Sequence, residues 1–427
     1  MKTIGIIAEY NPFHQGHAYQ IRQAKSAFGA DFVVAAISGD FVQRGEPAIF
    51  DKYTRTAMAL NCGADLVVEL PVEFATGSAE DFASCGVALL DKLGAVDGNL
   101  FGSEEGALAP LQAAADVLLS EPEDFRLVLK DELANGFSYP AAREKALSAA
   151  LEGQIFAGIA SPNNILGIEY LKALKRRSSS IKPLTLKRQG QNYHDDTMPE
   201  AGVFASASAL RGILQKESAP SSSAPFFGPA DPDLLSRIRQ LLPPGAFQAL
   251  FSEDALNAPI FADDLSGLLQ YRLLSALHRE DDLNRYADLS PELAARLKRL
   301  ALTPASFTER INQLKAKNFT YTRISRALLH LVLGITSEDM AAARQADFIS
   351  YIRILGFRKE AAPLLSAIKK AAAVPLVTKV ANAGQSLSPE AVQQLNRSLY
   401  ASHLYQSLVY QKGRSMNNEF TKSVIIL

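Results

Sequence analysis

The stretch Glu9-Tyr10-Asn11-Pro12-Phe13-His14-Gln15-Gly16-His17 places two histidines three positions apart around a glycine, in a chain that has only 6 histidines. It follows a short apolar run and precedes a helix-length one. The pair therefore stands at a helix start, where free amides and the helix dipole attract anions. Gly16 lets a ligand approach the backbone closely. Each imidazole could donate to a phosphate oxygen and stabilise charge developing on a reacting phosphate. A metal pair fits less well, because no carboxylate or cysteine stands at ligand spacing beside it. Asn-Pro marks a turn, in which Asn11 can bond a ligand or the loop itself.

Other polar groups stand at comparable positions. Asp40 ends a second apolar run and could orient a substrate group or a magnesium-bound water. Gln43 and Arg44 follow, and arginine pairs with planar anions bidentately. Gly102 ends a further run, where a nucleoside can lie against backbone. Ser161-Pro162 reads as a helix cap and first turn, followed by Asn163. Ser206, Ser208 and Arg211 offer two hydroxyls and a guanidinium to phosphates, or equally a helix cap and a surface arginine. Lys315, Lys317, Arg323 and Arg326 interleave with Phe319 and Tyr321. That mixture suits phosphate contacts and base stacking on a single-stranded loop, or a solvated helix face. Tyr351, Arg353, Arg358 and Lys359 form a weaker cluster of the same kind. Cys62 and Cys85 read as core positions, which disfavours acyl transfer through a thioester, and no nucleophilic serine elbow is present.

The elements that must position these groups are legible as alternating periods. Apolar runs at Thr3–Ala8, Phe32–Ile37, Asp65–Leu70 and Ala95–Phe101 have strand length, and Ile181–Leu186 resembles them. Helix-length stretches at 17–28, 52–61 and 79–93 lie between the first four. Continuous apolar strands separated by helices predict a parallel sheet covered on both faces. Ligands on such sheets bind beyond the carboxyl ends of the strands, so the loops after residues 8, 37, 70 and 100 are where chemistry is expected. Residues 217–232, rich in serine and proline, read as a linker. Leucine stripes such as Leu234, Leu235, Ile238, Leu241 and Leu242 then predict a mostly helical second half, with no strong strand before Val424–Leu427.

Composition bounds the reading. The chain has 427 residues, 48% hydrophobic and 21% charged, with a formal net charge of -1. These values exclude wholesale disorder and suit two domains. Residues 1–228 hold 20 Lys and Arg against 27 Asp and Glu, a net of -7, and residues 229–427 a net of +6. The basic half is the candidate to meet a polyanion. With 2 cysteines there is no disulfide framework. Without a long apolar run or a signal pattern, a cytoplasmic protein that does not enter membranes is expected.

His14-Gln15-Gly16-His17 after the first strand resembles the H-x-G-H signature of the nucleotidyltransferase superfamily. The segments Ser38 to Pro47, Phe101 to Glu104, Ser161 to Gly167, Lys187 to His194 and Ser206 to Arg211 narrow this to a resemblance with the tRNA(Met) cytidine acetate ligase family. The resemblance implies an α/β fold: a Rossmann-like parallel sheet in an ATP-binding catalytic domain at 1–216, then a mostly α-helical, basic domain at 233–427 that meets tRNA. It implies ATP as substrate, with magnesium, and activation of acetate to acetyl-adenylate. The acetyl group then passes to N4 of the wobble cytidine of elongator tRNA(Met). It assigns ATP contacts to Ile7-Ala8-Glu9-Tyr10-Asn11-Pro12-Phe13-His14-Gln15-Gly16-His17-Ala18-Tyr19-Gln20 and to Gly102, Asn163, Arg188 and Gln189, with His194 as a further polar group. His14, His17, Arg44, Ser206 and Arg211 would carry the chemistry, and Asp40 and Gln43 would meet substrate or metal. The residues alone leave two rivals open: a small-molecule adenylyltransferase, and a non-catalytic nucleotide-binding protein associated with RNA.

Overall fold

The computed structural model describes residues 1–151, 159, 161–189, 206–217, 232–251, 259–316 and 319–427. Its strands are β1 (Thr3–Ala8), β2 (Phe32–Ser38), β3 (Phe41–Val42), β4 (Glu46–Pro47), β5 (Leu66–Leu70), β6 (Gly98–Ser103), β7 (Lys182–Lys187), β8 (Ile352–Phe357), β9 (Leu376–Val377) and β10 (Ile425–Ile426). Among the described residues, eight of them form one sheet in the order β10-β8-β5-β2-β1-β6-β7, with β9 also on β8; β3 and β4 make a separate small hairpin. From β5 to β7 the neighbours are parallel, with Ala8 opposite Ile37 and Gly102 opposite Leu186. The chain runs outward from β1 to β2 and β5, then returns to the other side of β1 for β6 and β7. That reversal opens a crevice at the carboxyl ends of β1 and β6.

The helices between these strands start and stop for local reasons. Asp51 caps Lys52–Asn61 by accepting from the Thr54 amide at 2.7 Å. Ser78 caps Ala79–Lys92 through the Asp81 amide, and Ser161 caps Pro162–Arg176 with proline in the first turn. Helices Gln15–Ser26 and Lys52–Asn61 cover one sheet face, together with helices from 207–250. Helices Ala79–Lys92 and Pro162–Arg176 cover the other, and their core runs on without a break into Phe307, Leu328 and Tyr405 of the second half.

The α/β class expected from sequence is therefore observed, as a mostly parallel mixed sheet. The short strands β3, β4 and β9 and the longer β8 lie outside the expected apolar runs, and β8 matters most. β8 comes from the second half and pairs antiparallel with β5, Glu69 opposite Arg353. Tyr351-Ile352-Arg353-Ile354-Leu355 reads as part of a basic cluster because of its arginine. In the fold Tyr351 and Arg353 are buried, so neither offers a surface to RNA. Arg353 is accommodated by a buried quartet: Lys52 Nζ lies 2.7 Å from Glu69 and 3.2 Å from Glu419, and Arg353 lies 2.6 Å from Glu419 and 3.5 Å from Glu69. The quartet ties the first half to the last turn of the chain. A division at 217–232 therefore does not part sheet from helices, and most of that segment (218–231) lies outside the described residues.

Candidate active site

The loop from Glu9 to His14 leaves β1 through a left-handed backbone at Tyr10 (φ 52°) and a cis Asn11–Pro12 peptide. Its shape is held by groups from both neighbouring loops. Asn11 is buried, and its Oδ1 accepts from the Ile49 amide at 2.7 Å. Glu9 Oε1 accepts from the Gln43 amide at 2.9 Å. Arg55, fully buried, donates to the carbonyls of Glu9, Ser38, Gly39 and Phe50, clamping the ends of β1 and β2 together.

His14 is the N-cap of helix Gln15–Ser26. Its Nδ1 accepts from the Gly16 amide at 3.0 Å, and the His17 Nδ1 accepts from the His14 amide at 3.2 Å. A ring nitrogen that accepts cannot carry the proton, so in each neutral imidazole the proton sits on Nε2. The rings are stacked, centroids 3.7 Å apart, with Tyr10 and Phe13 edge-on or tilted against His17. Burial, reinforced by Arg188 and Arg211, pushes the His14 pKa down to about 3. Burial, His14 and Arg188 push His17 well below its usual value. The half-buried pair is thus neutral near pH 7, presenting two Nε2–H donors. Gly16 makes room: a Cβ there would lie 2.8 Å from His14 Cε1. The amides of His14 and Gly16 are spent on the imidazoles, so the expected anion cradle of helix amides is replaced in part by the two rings they polarise.

The other side of the crevice is built from β6, β7 and helix Pro162–Arg176. Arg188, just beyond β7, donates to Asn163 Oδ1 at 2.7 Å, and Asn163 Nδ2 donates to Glu104 Oε1 at 2.9 Å. Arg188 lies across Gly102, where a Cβ would stand 3.1 Å from its Cγ. Gln189 Nε2 donates to the Tyr19 hydroxyl at 3.1 Å, and Gln20 Nε2 to the Leu100 carbonyl at 2.9 Å. Arg211 donates to the Asn11 carbonyl at 2.8 Å and to Ser208 at 3.1 Å, joining helix Ala207–Glu217 to the histidine loop. The structure therefore brings together the histidine pair, Gly102, Asn163, Arg188, Gln189 and Arg211 around one crevice.

Several expected members are placed differently. The Ser206 hydroxyl accepts from the Ala209 amide at 3.0 Å, so it caps a helix. Asp40 is buried, with Oδ1 accepting from the Lys52 amide at 2.8 Å. Burial pushes its pKa up to about 6 against the pull of Lys52. It anchors its loop rather than facing an open metal position. Arg44 and Arg211 together oppose the burial that raises the Glu46 carboxyl. Phe319 is buried, and Arg326 is nearly so, paired with Asp288 at 3.1 Å; neither stands on the solvated surface that stacking on RNA requires. Arg323 lies over the Phe319 ring. Lys315 is exposed, and Tyr321 and Arg323 are half-buried. Lys317 and His194 lie outside the described residues. Burial pushes the Cys62 thiol up to about 11 and holds Cys85 well above its ordinary value, so neither is a ready thiolate. Sequence reasoning missed Arg55 and Glu104. Glu104 is the last residue of the recognised Phe101–Glu104 segment, whereas Arg55 has no local signal.

No helix among the described residues is long and apolar enough to cross a membrane, and no group of three or more His, Cys, Asp or Glu among them could hold a metal ion. The family model described as HIGH Nucleotidyl Transferase matches residues 1–420. The tRNA(Met) cytidine acetate ligase of Acetivibrio thermocellus is 41% identical over the whole of both chains. Those of Caldanaerobacter subterraneus subsp. tengcongensis and Clostridium acetobutylicum are 36% and 33% identical, also over the whole of both chains. The crystal structure of Thermotoga maritima TmcAL bound with alpha-thio ATP superposes with a TM-score of 0.85 at 30% identity, covering 100% of each chain. Its apo form gives 0.87.

Proposed function

This chain belongs to the HIGH nucleotidyl transferase family, among the tRNA(Met) cytidine acetate ligases, and from that premise we propose that it activates acetate with ATP and acetylates N4 of the wobble cytidine of elongator tRNA(Met). The observation that carries the reading is the neutral histidine pair at the β1–β6 reversal, with Arg188 and Arg211 beside it.

The adenine nucleotide is read into the crevice between the histidine loop and the Gly102–Asn163–Arg188 wall. An acetate oxygen forms a bond to the α-phosphorus while the bond to pyrophosphate breaks. The pentavalent phosphate gathers negative charge, which the two Nε2–H donors and the guanidiniums of Arg188 and Arg211 are placed to meet. Because the imidazoles already carry the needed proton, they act as donors without a change of protonation. The cytidine amine then attacks the carbonyl carbon of acetyl-adenylate, AMP leaves, and the amine gives up a proton. That amine is a weak nucleophile, which is why the carboxylate must be activated first. Magnesium would be carried in by the triphosphate, whose charge it offsets. The cytidine has to be unstacked to reach the crevice. Lys315 and Arg323 remain available for RNA phosphates. A cytoplasmic location is the reading that a tRNA-modifying reaction supports.

The test is exchange of labelled pyrophosphate into ATP with and without acetate, followed by transfer of labelled acetate to tRNA(Met). Exchange that needs acetate but no tRNA is expected. Acetylation that follows acetyl-CoA and ignores ATP would overturn the reading.

A further inference from the structure

Helix Pro389–Gln411 has two contrasting faces. Its buried face is fastened to the loop after β2: Lys52 Nζ donates to Ser402 Oγ at 2.8 Å, and the Tyr405 hydroxyl donates to the Ala48 carbonyl at 2.8 Å. Lys52 also binds Glu69 near the carboxyl end of β5, so this helix stands at the same carboxyl-terminal edge of the sheet as the histidine loop, beside β5 and β8. Its outer face carries an aromatic row. Tyr400 and Tyr410 are 49% and 66% exposed. Between them lies His403, with the Phe420 ring tilted over it at 5.7 Å. Positions 400, 403 and 410 share a face, and from end to end the row spans about 15 Å at 1.5 Å per residue. That is the length of about four stacked nucleotides at 3.4 Å each.

Basic side chains predominate along this stretch of chain. From Ala391 to Leu427 the only acidic side chain is Glu419, and it is buried in the quartet with Lys52 and Arg353. Of the four cations in this stretch, Arg397 pairs with Glu73 and Asp339 and Lys412 with Asp264, while Arg414 and Lys422 have no carboxylate partner among the described residues. Beyond the helix end, Tyr410 and Arg414 flank a shallow, open hollow at the turn made by Gly413, at φ 76°. An aromatic face and a guanidinium side by side are suited to a base and its phosphate.

We propose that this face, from Tyr400 through Arg414 and Phe420, seats the single-stranded loop of the tRNA while its cytidine enters the crevice. The inference rests on the tRNA acetate ligase reading. Self-association is the weaker fit, since a two-fold contact would bring Arg414 and Lys422 against their own copies.

The test compares Tyr400→Ala with Tyr410→Ala, the same pair with Arg414→Ala added, and Tyr400→Phe with Tyr410→Phe. Each is titrated with tRNA(Met) at several salt concentrations and assayed for acetate-dependent pyrophosphate exchange without tRNA. The alanine pair should weaken tRNA binding about tenfold or more, and the phenylalanine pair should bind like wild type. Adding Arg414→Ala should lower the slope of log affinity against log salt by about 1. Pyrophosphate exchange should stay within about twofold throughout. tRNA binding unmoved by the alanine substitutions overturns this surface and leaves the ligase reading in place. Missing exchange in the wild type overturns the reaction instead, and variants that still lose tRNA binding then uphold the surface. Should the alanine pair turn a dimer into a monomer with tRNA binding unmoved, the face belongs to a second copy.

Discussion

His14 and His17 are each held in one tautomer by the backbone of their own turn: the His14 Nδ1 accepts from the Gly16 amide at 3.0 Å and the His17 Nδ1 from the His14 amide at 3.2 Å, which leaves the proton of each neutral ring on Nε2. The H-x-G-H spacing is thus a closed unit in which Gly16 supplies one amide and the space for one ring. In the proposed reaction these neutral rings would act as Nε2–H donors, kept neutral by burial and by the charges of Arg188 and Arg211.

Replacing either histidine by alanine should lower acetate-dependent pyrophosphate exchange by about 10² to 10³, the usual loss for one stabiliser of transition-state charge. The double variant should fall well short of the product of the two, because the rings stack at 3.7 Å and each substitution also removes the packing that positions the other. Multiplicative losses would show that the rings act independently.

The pair should stay neutral where free histidine titrates. The His14 pKa lies near 3 in the fold and near 6.5 in the unfolded chain. The unfolded state therefore binds the extra proton first. The stability held by neutral His14 is complete above pH 6.5 and is lost as pH falls toward about 3. Nitrogen NMR on the ligand-free protein should show two Nε2–H tautomers from pH 6 to 8. A resonance from either ring titrating near 6.5 contradicts this arrangement.

Gly16→Ala should separate stability from activity. The substitution sits in the first turn of a helix, so folding should change by no more than about 1 kcal/mol. The new Cβ stands 2.8 Å from His14 Cε1 and 3.0 Å from its Nδ1, so the imidazole has to move. Exchange should drop at least tenfold while the melting temperature stays within a few degrees. Full activity would mean that the ring position is unimportant.

Glu419→Gln should destabilise by about 3–5 kcal/mol, the cost of leaving buried charges without their partner. Burial alone would raise this carboxyl, but Lys52 and Arg353 hold its pKa down to about 2. Its contribution is therefore present above about pH 4.5 and lost as pH falls toward 2. Urea unfolding at pH 7 and pH 3 checks both magnitude and sign: the gap between wild type and variant should narrow at the lower pH.

The alternating strands and helices of the first half, and the loop that carries the histidines, are legible in the sequence because they depend on local order. Thr3–Ala8 is apolar at every position, as a strand covered on both faces must be, and His14, Gly16 and His17 act within one helical turn. Asn163, Arg188 and Arg211 are legible by their motifs and meet the histidines where the strand order reverses.

Tertiary structure decided the rest, because the deciding contacts join residues far apart in the chain. Arg353 looks like a surface cation until Glu69 and Glu419 surround it, and only then can Ile352–Phe357 enter the sheet. Arg326 and Phe319 have the composition of an RNA-binding patch, yet packing against Asp288 and the helical core buries them. Arg55 clamps four carbonyls from two loops, a role that exists only once β1 and β2 lie side by side. Local periodicity can say which residues share a helix or strand face. It carries no information about which distant charge or carbonyl will face them, and that pairing decides whether a charged side chain is solvated or buried.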